Sequence, residues 1–388
     1  MVNPRLLRID DNPWARLRGL LDGAPPKTNL PHVLMSLGEP QHDPPPVMAR
    51  LIDESAKLWN RYPPMQGTPA YRAACADWLA RRYRLPAGLI TGERNVLSLN
   101  GTKEGLFLAA AMAVPQEKRG REPAVLMPNP YYLVYNGAAQ MAGAEPVFLD
   151  ATAKTGFLPD LDAIPDAVLA RTALFYLCSP ANPQGAIASL DYLTKAIRLA
   201  RAHDFVLALD ECYCEVYDDA PPPGGLEACA ALGGDLTNVL VFHSLSKRSS
   251  AAGLRCGFVA GDALLIDYMN KLRSYGGAQV PLPIQEAATA LWRDEAHVEE
   301  NRALYRRKFD VAERVLKGRF GFYRPPGGFL LWLDVGNGEA AVRTLPGAYI
   351  SRVNARGENP GERYIRVALV HDDATIEAGL SRMAQVLA

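Results

Sequence analysis

The sequence predicts an α/β protein. Its large domain holds a mostly parallel seven-stranded sheet flanked by helices, and a smaller α+β domain is built from the C-terminal part and an N-terminal arm. Three observations lead there. Short apolar runs recur from about residue 95 to 260 and alternate with helical stretches, the pattern of a parallel sheet with helices on both faces. Several of these runs are continuously apolar rather than alternating, as strands covered on both faces are. After about residue 285 the pattern changes to a long helix, two strand-like runs and a closing helix. The expected division is an arm over 1–45, a large domain over 46–285 and a small domain over 286–388.

Taken in order, residues 1–45 are rich in proline and turn formers and read as an arm. NVLSL (95–99) leads into a helix over 102–113, and AVLM (124–127) into one over 131–142. PVFL (146–149) and ALFYLC (173–178) follow, then a helix over 190–203. FVLAL (205–209), VLVFH (239–243) and CGFVA (256–260) complete the set, with PPPGG (221–225) as a loop inside the large domain. A helix over 297–318, FLLWLDV (329–335), YIRVALV (364–370) and a helix over 373–387 make the remainder.

The 388 residues, 48% hydrophobic and 22% charged, are an ordinary globular mixture and exclude a disordered chain, a collagen or a coiled coil. Lys+Arg and Asp+Glu are 42 each, so no broad field for nucleic acid or anionic membrane is expected. No apolar run reaches the ~18 residues of a membrane span. The opening MVNPRLLRIDDNPW has no apolar signal-peptide core. The cysteines are scattered without a C-x-x-C pair, so reduced thiols and a cytoplasmic location are expected. Cys212-x-Cys214 lies in a strand-like stretch without nearby partners, and no metal site is expected there.

In open α/β sheets ligands bind beyond the C-terminal ends of the strands, so chemistry is expected just after the apolar runs. In VFHSLSKRSSAAGLRCGF the run delivers Ser244, Ser246 and Lys247, with Arg255 following; two hydroxyls and a guanidinium suit a phosphate. In FVLALDECYCEVY, Asp210 ends the run and Tyr213 follows; a carboxylate there can pair with a cationic ring nitrogen. In YLCSPANPQGA, Asn182 can reach a ligand oxygen. In LSLNGTKEGL, Gly101 and Thr102 open a helix, a ready anion site. Each stretch alone also has a plain reading: a solvated loop lysine, a capping aspartate, an Asn-Pro turn, a capped helix. Together they meet the needs of pyridoxal phosphate, whose aldehyde takes a lysine and whose ring nitrogen takes an acid.

The chain resembles a fold-type I pyridoxal-phosphate-dependent aminotransferase of class I/II. The stretches are SLGEPQ (36–41), YPPMQGTPAYR (62–72), NGTKEGL (100–106), PNPYYLVY (128–135), SPANPQG (179–185), DECY (210–213), SLSK (244–247), GLRCGF (253–258) and YIRV (364–367), in the family's order. The resemblance implies pyridoxal 5'-phosphate as cofactor. Lys247 would join its aldehyde and act as general base, and Asp210 would pair with the ring nitrogen. Tyr213 and Asn182 would bond its phenolic oxygen, while Ser244, Ser246, Arg255, Gly101, Thr102 and the adjacent Lys103 would surround its phosphate. Tyr132, or its neighbour Tyr131, would stack on the ring. Arg366 would grip the substrate α-carboxylate, with Gly38 and Asn182 beside it, and Tyr62 would reach the site of a second subunit in a homodimer. No histidine takes a role, and His243 is expected to be packed.

The implied activity moves an amino group between an amino acid, glutamate in particular, and a 2-oxo acid or related carbonyl acceptor. MVNPRL, SLGEPQH, NGTKEGLF and SLSKRSSAAGLRCGFVAG further resemble bacterial succinyldiaminopimelate aminotransferases of lysine biosynthesis. Lys103 and Arg248 are the candidates for the distal carboxylates of such a substrate. The alternatives are an aspartate or aromatic aminotransferase and a C–S lyase using the same cofactor. A non-catalytic binding protein is disfavoured, because Lys247, Asp210, Arg255 and Arg366 are all present.

Overall fold

The structure, a computed structural model, describes residues 2–22, 31–337 and 344–387. Strands β1 (Val96–Leu99), β2 (Ala124–Asn129), β3 (Glu145–Asp150), β4 (Thr172–Cys178), β5 (Val206–Asp210), β6 (Val239–Ser244) and β7 (Gly257–Gly261) form one seven-stranded sheet. Their order is β1-β7-β6-β5-β4-β2-β3. All neighbours are parallel except those of β7, which runs antiparallel to both β6 and β1. A parallel return needs a long crossover, usually a helix across the sheet face. Between β6 and β7 lie only the short helical turns Leu245–Arg248 and Ala252–Leu254, so the chain folds straight back. The reversal brings the start of β7 to the edge where β4, β5 and β6 end.

The apolar runs are continuous because both faces are covered. On one face Leu97, Val125, Leu174, Leu240 and Val259 meet Leu106, Val134 and Met269 from helices Thr102–Ala113, Leu133–Ala142 and Ala263–Gly276. On the other, Leu126, Phe175, Leu207, Val241 and Phe258 meet Trp78, Ile197 and Trp292 from helices Pro69–Arg82, Leu190–Ala202 and Leu282–Arg293. The alternation of inward residues from one strand position to the next is the period-2 geometry of a pleated strand. Caps fix the helix starts: Ser189 accepts from the Tyr192 N–H at 3.1 Å, and Thr68 accepts from the Tyr71 N–H at 3.2 Å with a proline in the first turn.

A second, antiparallel sheet has the order β8-β10-β9, from β8 (Leu330–Asp334), β9 (Leu345–Pro346) and β10 (Tyr364–Ala368). Leu331, Leu333, Ile365 and Val367 on one face pack against Ala312, Leu316, Ile376 and Leu380 of helices Ala296–Leu316 and Asp373–Val386. The other face carries Trp332 and Leu345, covered by Leu17 of helix Pro13–Asp22. Arg366 stands opposite Trp332 in the register. A cluster of Tyr213, Val216, Tyr305, Phe329 and Leu330 ties the turn after β5 to this sheet.

Two features differ from the sequence reading. Strand β9 is too short to leave a periodic pattern, and Cys212 and Cys214 lie in a turn rather than a strand. Among the described residues no helix is long and apolar enough to cross a membrane, and no His/Cys/Asp/Glu cluster suits a metal.

Candidate active site

Strand β5 ends in Asp210, in the wall of a cavity of about 520 Å³. The carboxylate is buried. Tyr135 Oη donates to its Oδ2 at 2.8 Å and the Cys212 N–H to its Oδ1 at 3.3 Å. Burial pushes this carboxyl up from its ordinary value, while the hydrogen bonds from Cys212 and Tyr135 pull it back. A desolvated carboxylate held by neutral donors calls for a cation at the same spot.

Strand β6 hands the chain to a single helical turn that bears Ser246 and Lys247. Ser244 Oγ caps it, accepting from the Ser246 N–H at 3.1 Å and donating to Ser246 Oγ at 2.9 Å. Lys247 Nζ reaches across the cavity to the Gly38 carbonyl and stands 5.2 Å from the ring centre of Phe329. Burial draws its ammonium down to about 8, so a neutral amine is accessible near physiological pH.

The reversal at β7 carries Arg255 to this same edge. Its backbone is left-handed, with φ 51°, and its guanidinium donates to the carbonyls of Ala252 at 2.9 Å and Asn100 at 3.3 Å. Gly101, at φ 77°, lets that guanidinium approach, because a Cβ there would overlap it. Thr102 opens helix Thr102–Ala113 and stands 3.0 Å from Cys212 Sγ through its hydroxyl. Hydroxyls of Thr102, Ser244 and Ser246, the Arg255 guanidinium and a helix N-terminus thus converge on one end of the cavity, a set suited to a phosphate. Lys103 lines the cavity with an exposed side chain.

Arg366 forms the opposite end. It is buried, donating from Nη2 to the Ser36 carbonyl at 2.8 Å and from Nη1 to Asn182 Oδ1 at 3.3 Å, while its Nε has no partner. No acidic side chain pairs with it among the described residues, and its charge therefore suits a ligand carboxylate. Gly38, Tyr213 and Asn182 line the space between the two ends. Of the adjacent tyrosines, Tyr132 faces the cavity, whereas Tyr131 packs 5.0 Å from Phe148.

Tyr62, expected at the site of a second subunit, is 98% exposed and does not line this cavity. Arg248 is not a substrate cation, nor a solvated charge. Only 2% exposed, it donates to the Leu291 carbonyl and to Glu295 Oε1, each at 2.7 Å, and sits against the rings of Trp78 and Trp292. One residue past Lys247, its side chain points away from the cavity into the core. His243 is packed as expected, 5.0 Å from the Trp78 ring. The sequence reading missed Tyr135, which lies one helical turn after Tyr132 but 75 positions from Asp210; its contact is a product of the fold. Glu39 and Trp14 also line the cavity without having been singled out.

Comparison with known proteins decides the family. Residues 31–383 match the family model described as aminotransferase class I and II. The chain belongs to the class I and II aminotransferases. It is 32% identical over 361 residues to the 4-dedimethylamino-4-oxo-anhydrotetracycline transaminase OxyQ of Streptomyces rimosus, covering 90% of this chain and 92% of that one. It is 30% identical to an LL-diaminopimelate aminotransferase of Dehalococcoides mccartyi, covering 91% and 90%. A solved aminotransferase from Neisseria meningitidis superposes with a TM-score of 0.94 at 36% identity, each chain covered in full. The family's cofactor, pyridoxal 5'-phosphate, is therefore this aminotransferase's cofactor. The residues fit it: a phosphate-sized cluster of donors at one end, a desolvated carboxylate for a cationic ring nitrogen, and a lysine with a lowered pKa between.

The Tyr135 hydroxyl favours the ionised form of Asp210. Tyr135→Phe keeps the packed ring and removes that donor, worth about 1.5–3 kcal/mol to a charged acceptor. The Asp210 pKa then rises, so the acid limb of the pH profile of kcat moves to higher pH. An unchanged acid limb would contradict this role for Tyr135.

Proposed function

We propose that this cavity transfers an amino group between an amino acid, with glutamate as donor, and a 2-oxo acid or related carbonyl acceptor. The observation that carries this reading is the arrangement of Lys247 between an anion-binding end at Arg255 and a carboxylate-binding end at Arg366. The bound cofactor supplies an electron-poor ring that accommodates the electron pair left when the substrate Cα–H bond breaks. Lys247 would take the cofactor's aldehyde and, as a free amine, would move the proton at the substrate Cα. Asp210 would keep the cofactor's ring nitrogen protonated, and Asn182 and Tyr213 would bond its phenolic oxygen. Thr102, Ser244, Ser246 and Arg255 would hold the phosphate, with Gly101 giving Arg255 room, and Tyr132 would stack on the ring. Arg366 takes the α-carboxylate beside Gly38.

The near-total exposure of Tyr62 supports its assignment to the neighbouring site in a homodimer, since an aromatic ring in water gains by burial against a partner. The arm (1–45) with the C-terminal part (286–388) forms the small domain and 46–285 the large cofactor-binding domain of a cytoplasmic enzyme.

For the acceptor we propose the oxo counterpart of a long dicarboxylate of the diaminopimelate type, that of N-succinyldiaminopimelate first, in lysine biosynthesis; N-succinyldiaminopimelate itself is the aminated product and the donor in the reverse direction. The LL-diaminopimelate aminotransferase relative supports an elongated substrate of this class. With Arg248 withdrawn, Lys103 is the cation for its distal carboxylate, exposed on the cavity wall. An aspartate or aromatic aminotransferase is the second reading, as Arg366 demands only an α-carboxylate.

Lys247→Ala should fold and lose nearly all turnover, because it removes the buried amine that would move the proton. Full activity in that variant, measured by the 2-oxo acid formed, sinks the site assignment. The substrate is tested by offering N-succinyldiaminopimelate, LL-diaminopimelate, aspartate, phenylalanine and acetylornithine with 2-oxoglutarate. The succinylated compound is expected to lead by kcat/KM. If it ranks behind aspartate or phenylalanine, the lysine-pathway reading fails while the amino-group transfer stands.

A further inference from the structure

The single helical turn that carries Lys247 is too short to satisfy its own last carbonyls. A side chain from another element does so. Asn301, on helix Ala296–Leu316, donates from Nδ2 to the Lys247 carbonyl at 3.0 Å and to the Arg248 carbonyl at 3.2 Å. Asn301 is 7% exposed, an unusual place for an amide unless it is fully bonded. Its other end is engaged as well: Oδ1 stands 2.8 Å from Nδ1 of His42. His42 lies in the arm, four residues past Gly38, whose carbonyl accepts from Lys247 Nζ.

The directions of these bonds are determined by chemistry. Asn301 has both donors committed to carbonyls, so its Oδ1 accepts and His42 Nδ1 carries the proton. His42 Nε2 is then an acceptor, and the ammonium of Lys308 donates to it. Lys308, 2% exposed, also donates to the Val370 carbonyl at 3.2 Å. Burial lowers the His42 pKa, aided by the charges of Lys308 and Arg307 and opposed by its Asn301 bond and by Asp373, which keeps the ring neutral as this pattern requires. Asn301, Tyr305 and Lys308 stand at i, i+4 and i+7, one stripe of the helix, and the His42 ring lies 4.7 Å from that of Tyr305.

We propose that His42 and Asn301 are positioning residues for Lys247: the arm, through His42, orients the Asn301 amide, which fixes the backbone turn from which the lysine moves its proton. The bonds run one way, from Lys308 through His42 and Asn301 to the Lys247 carbonyl. The pair thus acts on proton transfer and leaves amino-acid binding, which is the task of Arg366, untouched. This rests on Lys247 as proton carrier.

The test uses cofactor-loaded enzyme and the single-turnover half-reaction, with the best amino donor carrying hydrogen or deuterium at Cα. Asn301→Ala and the isosteric Asn301→Asp, which lacks the Nδ2 donors, should slow the half-reaction by about tenfold or more while donor Kd stays within about threefold. The deuterium effect should rise, since a misplaced amine makes proton transfer more rate-limiting. His42→Ala should do the same to a smaller degree, and His42→Ala combined with Asn301→Ala should be no slower than Asn301→Ala alone, because one residue acts through the other. An unchanged rate and isotope effect in a folded, loaded Asn301 variant overturns the proposal, as do losses that multiply in the double variant. Should neither Asn301 variant fold, parental behaviour of His42→Ala overturns it. Lys247→Ala separates the two ideas: if that variant stays active the proton-carrier reading falls, and if it is dead while Asn301 variants are normal only the relay falls.

Discussion

The buried carboxylate at the end of β5 sets the terms for the rest of the site. Asp210 is buried on the cavity wall, and its bonded partners, Tyr135 and the Cys212 N–H, are neutral. An isolated charge in that position is costly, so the site gains stability when a cation arrives opposite it. Pyridoxal phosphate would bring one in its ring nitrogen. The other groups on the cavity wall suit the rest of that cofactor: hydroxyls and Arg255 would take its phosphate, Lys247 its aldehyde, and Arg366 a substrate carboxylate. The apolar walls made by Phe329, Tyr213 and Tyr132 keep the dielectric low, which lowers the lysine pKa and strengthens every charged contact.

Topology delivers those groups to one edge. Strands β4, β5 and β6 end there because they are parallel, and β1 and β2 contribute the segments that follow them. The antiparallel β7 would have been a defect in a purely parallel sheet. Here it turns the start of a strand toward the cavity, and Arg255 arrives in a left-handed conformation beside Gly101. The small antiparallel sheet contributes Arg366 from its central strand, where hydrogen bonds on both sides hold the backbone. Rigid elements carry the charged groups, and the arm with Gly38 and His42 closes the remaining side.

Much of this was legible in the sequence because it rests on local pattern. Continuous apolar runs marked the covered strands, and helix 102–113 was placed to the residue by the Gly-Thr start. Lys247, Asp210 and Arg255 pointed to a site as a set of charged residues after apolar runs rather than singly, and Arg366 through the resemblance carried by YIRV. What was not legible depends on contacts between distant segments. The direction of β7 follows from the shortness of its connection. Tyr135 meets Asp210 only through helix–sheet packing, and Arg248 looked available because nothing in the sequence reveals which way a one-turn helix points its side chains. The buried Asn301 and Lys308 did leave a trace, as polar residues on the apolar stripe of a long helix, but their partner His42 lies in the arm.

The most direct measurement is the half-reaction of the Asp210→Asn enzyme, loaded with cofactor and mixed with an amino donor. The amide keeps the shape of the carboxylate and removes its charge. If Asp210 holds the ring nitrogen in its cationic form, the rate constant falls by about 10²-fold or more, with cofactor still bound. A loss smaller than about threefold in the loaded variant would contradict the account, since a removed electrostatic group at the reacting ring cannot be that cheap.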